Sequence, residues 1–426
     1  MKQSKNNFVF LLDEHNSIDQ ITPLIYVLHK QKFSITAIKC NISYNYDEDN
    51  NIDYIKKLSN DIKFFDLIRK TDFITKITLK FIHKIKNFTK RNYFKYYCNK
   101  LKKIENILLE KTRKRFLSKN FSIDDYINRE LIKPIIICEL SYGDIIYQHI
   151  VTRLYEQRFK IYSFNHGFDV LKNDLLGLQD LEFKLLKENE RINHSVATVF
   201  FSKNSITRYS KFGENLKVLP SLRFSTYWIK KIINRENLYE QVIPQSEFKI
   251  KILLCMSAMC NNIWSGEQYR LIRLLAKIEI VHLYIKVHPR EVNLTTKLNQ
   301  EFSEYNNIIV VGKKVPSSTL INISDIVLTI SSGMFVEAII QGKVLIYIKY
   351  LHCNSIVLDD INYFDEFDHI SIVNTRDELL KLINGYTSTL PTNIRTINRI
   401  QFLKDYILDD DFDFNSKKYI ELLTNN

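Results

Sequence analysis

His288-Pro289-Arg290-Glu291 stands at the end of one apolar run, and Ser331-Ser332-Gly333 at the end of the next but one. These residue types, in this order, suit the recognition of a phosphate. Residues 281–287 (VHLYIKV) read as a buried strand, so His288 emerges where that strand stops. Residues 326–330 (IVLTI) read as another, followed at once by SSGMFVEAIIQGK, which has the pattern strand, tight turn, helix. A helix opening at or just after Ser332 turns its unpaired N–H groups and the positive end of its dipole toward whatever lies above the strand ends, and an anion fits there. The hydroxyls of Ser331 and Ser332 donate further hydrogen bonds, Gly333 lets backbone come close, and His288 from a neighbouring strand grips the same phosphate from the other side. Ligands of open parallel sheets bind in this place, beyond the carboxyl ends of the strands. Taken singly, Ser331 reads equally well as a helix cap and His288-Pro289 as a turn; their joint occurrence points to one anion site. Ser257, just after the run KIKILLCM, stands on a third loop over the same place.

The elements that must hold these residues follow from the apolar pattern. Strands are predicted at 8–12, 35–39, 134–139, 160–164, 198–201 and 216–219, and a second series at 249–256, 281–287, 307–311, 325–330, 344–348 and 370–373, with helix-length segments between many of them. Two βα series in a chain of 426 residues, longer than one core usually serves, imply two α/β domains. Residues 227–245 lose the strand pattern, are charged and carry a proline, which places the boundary near Gln245. The expected division is 1–245, 246–390 and a helical tail, 391–426, that packs back on the first domain. Thr375-Arg376-Asp377-Glu378 has the form of a capping box opening a helix.

Six cysteines are scattered without a paired spacing, and three of them, Cys40, Cys138 and Cys255, lie in or beside apolar strands. They read as reduced core thiols of a cytosolic protein, and zinc is not expected. The apolar stretch 8–12 is too short for a signal peptide, and nothing elsewhere has the length of a membrane span. Lys+Arg 61 against Asp+Glu 48 gives a net charge of +13, which suggests an anionic partner. Most of that excess lies in an insertion at about 65–120. Ile74, Ile77, Phe81, Ile85 and Phe88 recur at helical spacing on one face there, with Lys76, Lys80, Lys84, Lys86 and Lys90 around them. Such a helix lies in an anionic leaflet, or packs its stripe on its own domain with its lysines solvated; the two stay open. Nucleic-acid binding ranks below both, because no nucleic-acid fold signature accompanies the basic and aromatic residues.

IKVHPRE followed by SDIVLTISSGMFVEAIIQGKVLIY resembles the His-Pro and Ser-Ser motifs of bacterial sialyltransferases and Kdo-transferases, and the related motifs of CDP-glycerol glycerophosphotransferases. The resemblance implies the GT-B architecture, an α/β fold of two Rossmann-like domains facing a cleft. It also implies a cytoplasmic glycosyltransferase, peripheral on the membrane, that moves a sugar from a nucleotide donor, CMP-Kdo or CMP-sialic acid in preference, to a saccharide or lipid-linked acceptor of a surface polysaccharide. Alternatives are glycerophosphate transfer from CDP-glycerol, a UDP-sugar transferase or epimerase and, remotely, a nucleic-acid-binding protein. By the same resemblance His288 contacts the donor phosphate and assists the departing nucleotide, Pro289 and Arg290 belong to that motif, Ser331 and Ser332 bind the phosphate with Gly333, and Glu337 reaches the ribose. The alternative for Glu337 is a solvated surface carboxylate.

The first domain is then expected to hold the acceptor and a general base, a group within reach of a hydroxyl and with a pKa suited to taking its proton. Candidates at strand ends are Asp13 and Glu14 (LLDEHN), Glu139 with Asp144 (CELSYGD), and His166 (SFNHGFD). The acidic motif that supplies the base in sialyltransferases is absent as such, since Asp13-Glu14 is followed by His15. The acidic run Asp409 to Asp413 reads as a solvated tail, and a phosphate held by a helix end and a histidine calls for no divalent ion, so metal-independent transfer is expected.

Overall fold

The computed structural model describes residues 7–41, 44–66, 127, 131, 133–140, 145–165, 191–201, 206, 209, 213–235, 250–256, 264–288, 291, 293–312, 315–330, 332–352, 370–388 and 410–425. Described residues up to Leu219, with the C-terminal residues from Asp413, form one compact unit, and Pro220–Phe412 form another. The basic insertion, with Lys76, Lys80, Lys84, Lys86 and Lys90, lies outside the described residues.

In the first unit the strands Asn7–Leu12 (β1), Ser34–Lys39 (β2), Lys63–Asp66 (β3), Ile135–Glu139 (β4), Lys160–Phe164 (β5), Ala197–Phe200 (β6) and Leu216–Val218 (β7) form a sheet in the order β3-β2-β1-β4-β5-β6-β7. Every pairing in it is parallel. Runs such as IIICE, buried at every position, can only be strands covered on both faces. One face packs Val9, Leu11, Ile136 and Cys138 against Tyr147, Ile150, Val151 and Leu154 of the helix Ile145–Glu156. Six of the seven strands match the sequence reading. The seventh, β3, escaped it because this short edge strand buries only Phe65.

The second unit repeats the plan. Ile250–Cys255 (β8), Val281–Lys286 (β9), Ile308–Val311 (β10), Ile326–Thr329 (β11), Val344–Ile348 (β12) and Ser371–Val373 (β13) pair in the order β10-β9-β8-β11-β12-β13, again all parallel. Alternation along the strands divides the core in two. Ile252, Leu254, Ile326, Leu328 and Ile346 meet Leu271, Ile272, Leu298, Leu379 and Ile383 on one side. Leu253, Cys255, Val327, Leu345 and Tyr347 meet Leu320, Phe335, Val336 and Ile339 on the other. Helices therefore cover both faces, which is the doubly wound arrangement.

The boundary expected near Gln245 falls instead at Leu219–Pro220. The stretch read as a linker begins as the helix Thr226–Arg235, which buries Trp228, Ile229 and Ile232 at helical spacing. Ser225 caps it by accepting from the Trp228 amide at 3.2 Å. Asp410, read as part of a solvated tail, accepts from both the amide and the hydroxyl of Thr226 at 2.6 Å. The final helix, Phe412–Thr424, lays Tyr419 over Phe164 of β5 with ring centroids 6.0 Å apart. Thr375 caps the helix Arg376–Ser388 through the Glu378 amide at 3.2 Å, while the Glu378 carboxylate reaches back to the amide of Asn374 at 2.8 Å, one residue earlier than in the usual capping box.

The helix Met334–Ile340 ends as the sequence QGK predicts. Gly342 lies at φ +65, its amide bonds the Ile339 carbonyl at 2.9 Å, and the Lys343 amide bonds that of Ala338 at 2.9 Å. This is the paired-bond C-terminal motif that needs a left-handed residue. Gly342→Ala is expected to cost about 1–2 kcal/mol, the left-handed penalty of a Cβ. Urea unfolding followed by tryptophan fluorescence reads it directly, since both tryptophans, Trp228 and Trp264, lie in this unit. An unchanged midpoint contradicts the expectation.

Candidate functional site

Strand register decides whether the phosphate-reading residues share a rim. On β8, Cys255 is level with Lys286 of β9 and with Thr329 of β11. His288 follows Lys286 by two residues, and Ser331 follows Thr329 by two, as Ser257 follows Cys255. Adjacent strands lie about 4.8 Å apart, so β9 and β11, with only β8 between them, stand about 10 Å apart. That separation is within reach of side chains converging on one diphosphate. The gap between β8 and β11 is also where the strand order reverses, the switch point at which such sheets take ligands. Ser257, Pro289, Arg290 and Ser331 lie outside the described residues; His288, Ser332, Gly333 and Glu337 are described.

His288 is half-buried, and its carbonyl accepts from the Glu291 amide at 2.9 Å, which fixes the turn out of β9. Ser332 is half-buried, with its hydroxyl 3.4 Å from the Met334 amide and its carbonyl 3.2 Å from the Phe335 amide. Gly333 is the N-cap residue at φ −57, a conformation open to any residue, and a Cβ built on it would meet nothing within 4 Å. The protein itself therefore does not require glycine there. The helix that follows has only 7 residues, so its dipole is a minor contributor.

Glu337 departs from both sequence readings. It is 2% exposed, and its carboxylate binds the guanidinium of Arg223 through Oε1 and the hydroxyl of Ser318 through Oε2. It ties the turn Leu222–Phe224 and the helix Ser317–Ile323 to its own helix. A carboxylate so engaged is neither a solvated surface group nor, in this arrangement, directed at a ribose. The sequence reading missed Lys286. Its ammonium is buried among apolar strand residues and donates to the carbonyls of Gly312 at 2.7 Å and of Val315, holding the turn that follows β10. Burial pushes the neighbouring Cys255 thiol well above its usual pKa against the pull of Lys286, so it is no nucleophile. Two polar groups near the switch point make no hydrogen bond among the described residues. They are the Thr329 hydroxyl at the end of β11 and the whole side-chain amide of Gln268, 0% exposed in the first turn of the helix Ser265–Ala276 that follows β8.

The rim of the first sheet holds a denser polar cluster, at the end of β1. Asp13, proposed as a base, is 2% exposed, and its Oδ1 accepts from Asn41 Nδ2 at 2.9 Å. Tyr46 donates to the carbonyls of Leu12 and Asp13 at 2.8 and 2.9 Å. Asp13 is thus a structural carboxylate that fastens β1 to the turn after β2. Glu14 is half-buried at the N-cap position of the helix His15–Lys30, with no capping bond from its side chain. Glu139 is buried, and Asp144 and His166 lie outside the described residues. The residue passed over was the next one. His15 Nδ1 lies 2.9 Å from Asp49 Oδ2, with the imidazole side chain 39% exposed and the carboxylate 0%. Tyr44 also donates to Asp49 Oδ2, and the amides of Asn51 and Ile52 donate to Oδ1 at 2.8 and 3.2 Å. Burial pushes the Asp49 pKa up, but the hydrogen bond and charge of His15, the Tyr44 hydroxyl and the Ile52 amide outweigh it, and the net result lies below the usual carboxylate value. Asp49 stands 34 residues from His15, and only its place before NNIDYIKKL marks it as a helix cap.

No helix among the described residues is long and apolar enough to cross a membrane. No protein-family model matches the chain, and no curated protein matches it. Solved structures do, along the whole length. A Listeria monocytogenes protein assigned as a UDP-N-acetylglucosamine 2-epimerase superposes with a TM-score of 0.62 at 11% identity, covering 100% of this chain and 98% of that one. The UDP-GlcNAc 2-epimerase of Neisseria meningitidis, solved with UDP-GlcNAc, gives 0.59 at 13% identity over 99% and 100%. HepE of Anabaena, solved with UDP and glucose, gives 0.53 at 12% identity over 99% and 100%. At these identities the likeness establishes the fold: two Rossmann-like α/β domains of the GT-B type, each with its own parallel sheet.

Proposed function

We propose that the chain is an enzyme acting on a UDP-sugar, by transfer or by epimerisation. The end-to-end likeness to proteins described with UDP or a UDP-sugar supports this reading best. His288 and the Ser332–Gly333 turn, flanking the switch point of the second sheet, are the groups assigned to the diphosphate. Uridine takes the place of the cytidine nucleotide expected from the motifs, and the acceptor in the transfer reading remains a saccharide or a lipid-linked saccharide.

The test is incubation with UDP-GlcNAc, UDP-glucose, CMP-Kdo, CMP-sialic acid and CDP-glycerol, with products followed by proton and phosphorus NMR. Epimerisation yields a new diastereomer still joined to UDP, and transfer yields free UDP. Reaction confined to the cytidine donors overturns the uridine assignment. In calorimetry His288→Ala and Ser332→Ala are each expected to weaken UDP binding about 10-fold, the loss of one hydrogen bond to a charged group at about 1.5 kcal/mol. Unaltered affinity in both variants removes the assigned phosphate site. The chemistry is expected to continue in EDTA.

A further inference from the structure

We propose that Trp264 and Gln268, at the start of the helix Ser265–Ala276, read the sugar of the donor, the indole covering its C–H face and the amide meeting its hydroxyls. The assignment rests on the UDP-sugar reading and adds to it a sugar subsite lying wholly within the second unit. The helices that follow β8 and β11 leave the sheet to opposite faces. Leu271, Ile272 and Leu275 of the first pack in one core layer, and Phe335, Val336 and Ile339 of the second in the other. Such a parting opens the crevice of the switch point, and both helix starts border it. The Ser332–Gly333 turn is assigned to the diphosphate on one wall, which leaves the start of Ser265–Ala276 on the other for the group bonded to that diphosphate.

Trp264 is the N-cap residue of this helix, and its amide donates to the Leu351 carbonyl at 3.0 Å, just after β12, which fastens the helix start to the rim. Its side chain is 54% exposed. An indole held at a rim with its ring in solvent offers a flat apolar surface beside a polar edge, which suits a pyranose. Gln268 lies one turn further on, on the side of the helix that carries Leu271, Ile272 and Leu275, and side chains on a helix lean toward its N-terminus. Its amide, 0% exposed, is therefore directed back at the helix start, and neither its oxygen nor its nitrogen makes a hydrogen bond among the described residues. An unmet buried amide lowers the stability of the folded chain. Two hydroxyls on adjacent sugar carbons satisfy it, one donating to Oε1 and one accepting from Nε2. The charged groups beside it are already engaged, since Glu267 accepts from Arg270 at 2.5 Å and from Arg376 at 2.7 Å. What remains at this end is a neutral amide and an aromatic face, a pairing suited to hydroxyls and C–H groups rather than to a phosphate.

Calorimetry on the full chain with UDP, UDP-GlcNAc and UDP-glucose tests the subsite. Gln268→Leu, a change of similar volume, is expected to bind both UDP-sugars about 10-fold more weakly and UDP as the wild type does. Trp264→Ala is expected to lose about 3–10-fold on the same two ligands, again with UDP unaffected. In the wild type either UDP-sugar, unlike UDP, is expected to shield Trp264 from acrylamide quenching; the other tryptophan, Trp228, is 1% exposed and adds little to that signal. The urea midpoint of Gln268→Leu is expected to lie above that of the wild type, because the apolar side chain removes the unmet amide. Equal weakening of UDP and the UDP-sugars puts these residues against the nucleotide and overturns the proposal. Unchanged affinity for all three ligands in folded Gln268→Leu protein, or a midpoint that falls, also overturns it, and the UDP-sugar reading stands in each of these cases. Failure of the wild type to bind either UDP-sugar brings down the donor reading and this proposal together.

Discussion

Glu337→Ala is expected to destabilise the second unit by about 3–5 kcal/mol, because it leaves the buried guanidinium of Arg223 without its counter-charge. The two side chains are 6% and 3% exposed, so solvent cannot replace the lost partner, and Ser318 loses its acceptor as well. The pair itself is not a strong source of stability, since removing both charges from water offsets most of their attraction. The double change Arg223→Met with Glu337→Leu is therefore expected to recover most of the loss, by filling the space with apolar atoms. Urea unfolding read by Trp228 and Trp264 measures both variants within this unit. The experiment separates two roles for Glu337. A carboxylate serving a ribose would leave the urea midpoint in place and weaken UDP alone; a carboxylate joining three elements moves the midpoint, and that is the result expected.

In the first unit, Asp49→Ala is expected to cost about 2–4 kcal/mol at neutral pH. Loss of the helix cap accounts for about 1 kcal/mol, and the buried donors left behind account for the rest. The same residue gives the stability a pH dependence of known sign. Its folded-state pKa lies below the unfolded value of about 3.9, so the unfolded chain binds the proton more readily. Its contribution is whole above that unfolded value and fades as the pH falls through the depressed folded one. The gap in stability between wild type and Asp49→Asn should accordingly narrow as the pH drops below about 4. Hydrogen exchange in the helix Asn50–Leu58, which Asp49 caps, provides the local readout. A gap that stays constant down to pH 2 would show that Asp49 carries no such linkage.

Strands were the most legible part of this chain. Parallel strands covered on both faces are written as short unbroken apolar runs, and IIICE, VHLYIK and IVLT could be placed to within a residue or two. Edge strands carry less of that signal, which is why KFFD was missed. Helix punctuation was equally local: Thr375, Glu378 and Gly342 act through atoms only a few residues away. His288 and Ser332 each come just after a strand, and parallel register carries the ends of β9 and β11 to the same edge of the second sheet.

The role of each carboxylate was not legible in that way. Asp13, Glu337 and Asp49 look alike in the sequence as acids beside apolar stretches, yet one fastens a turn, one joins three elements and one orients an imidazole. The charge and hydrogen-bonding capacity of a side chain are fixed by its type. Whether water, an amide or a distant guanidinium satisfies that capacity depends on what the folded chain brings within about 3 Å. For Glu337 and Arg223 the partners lie 114 residues apart, and no local pattern records them. Sequence alone thus determined the two parallel sheets and the rim that their register creates, because periodicity and burial are short-range properties. Tertiary structure decided which polar groups are consumed in holding each sheet's rim together, since desolvation and pairing are settled only once the chain is folded.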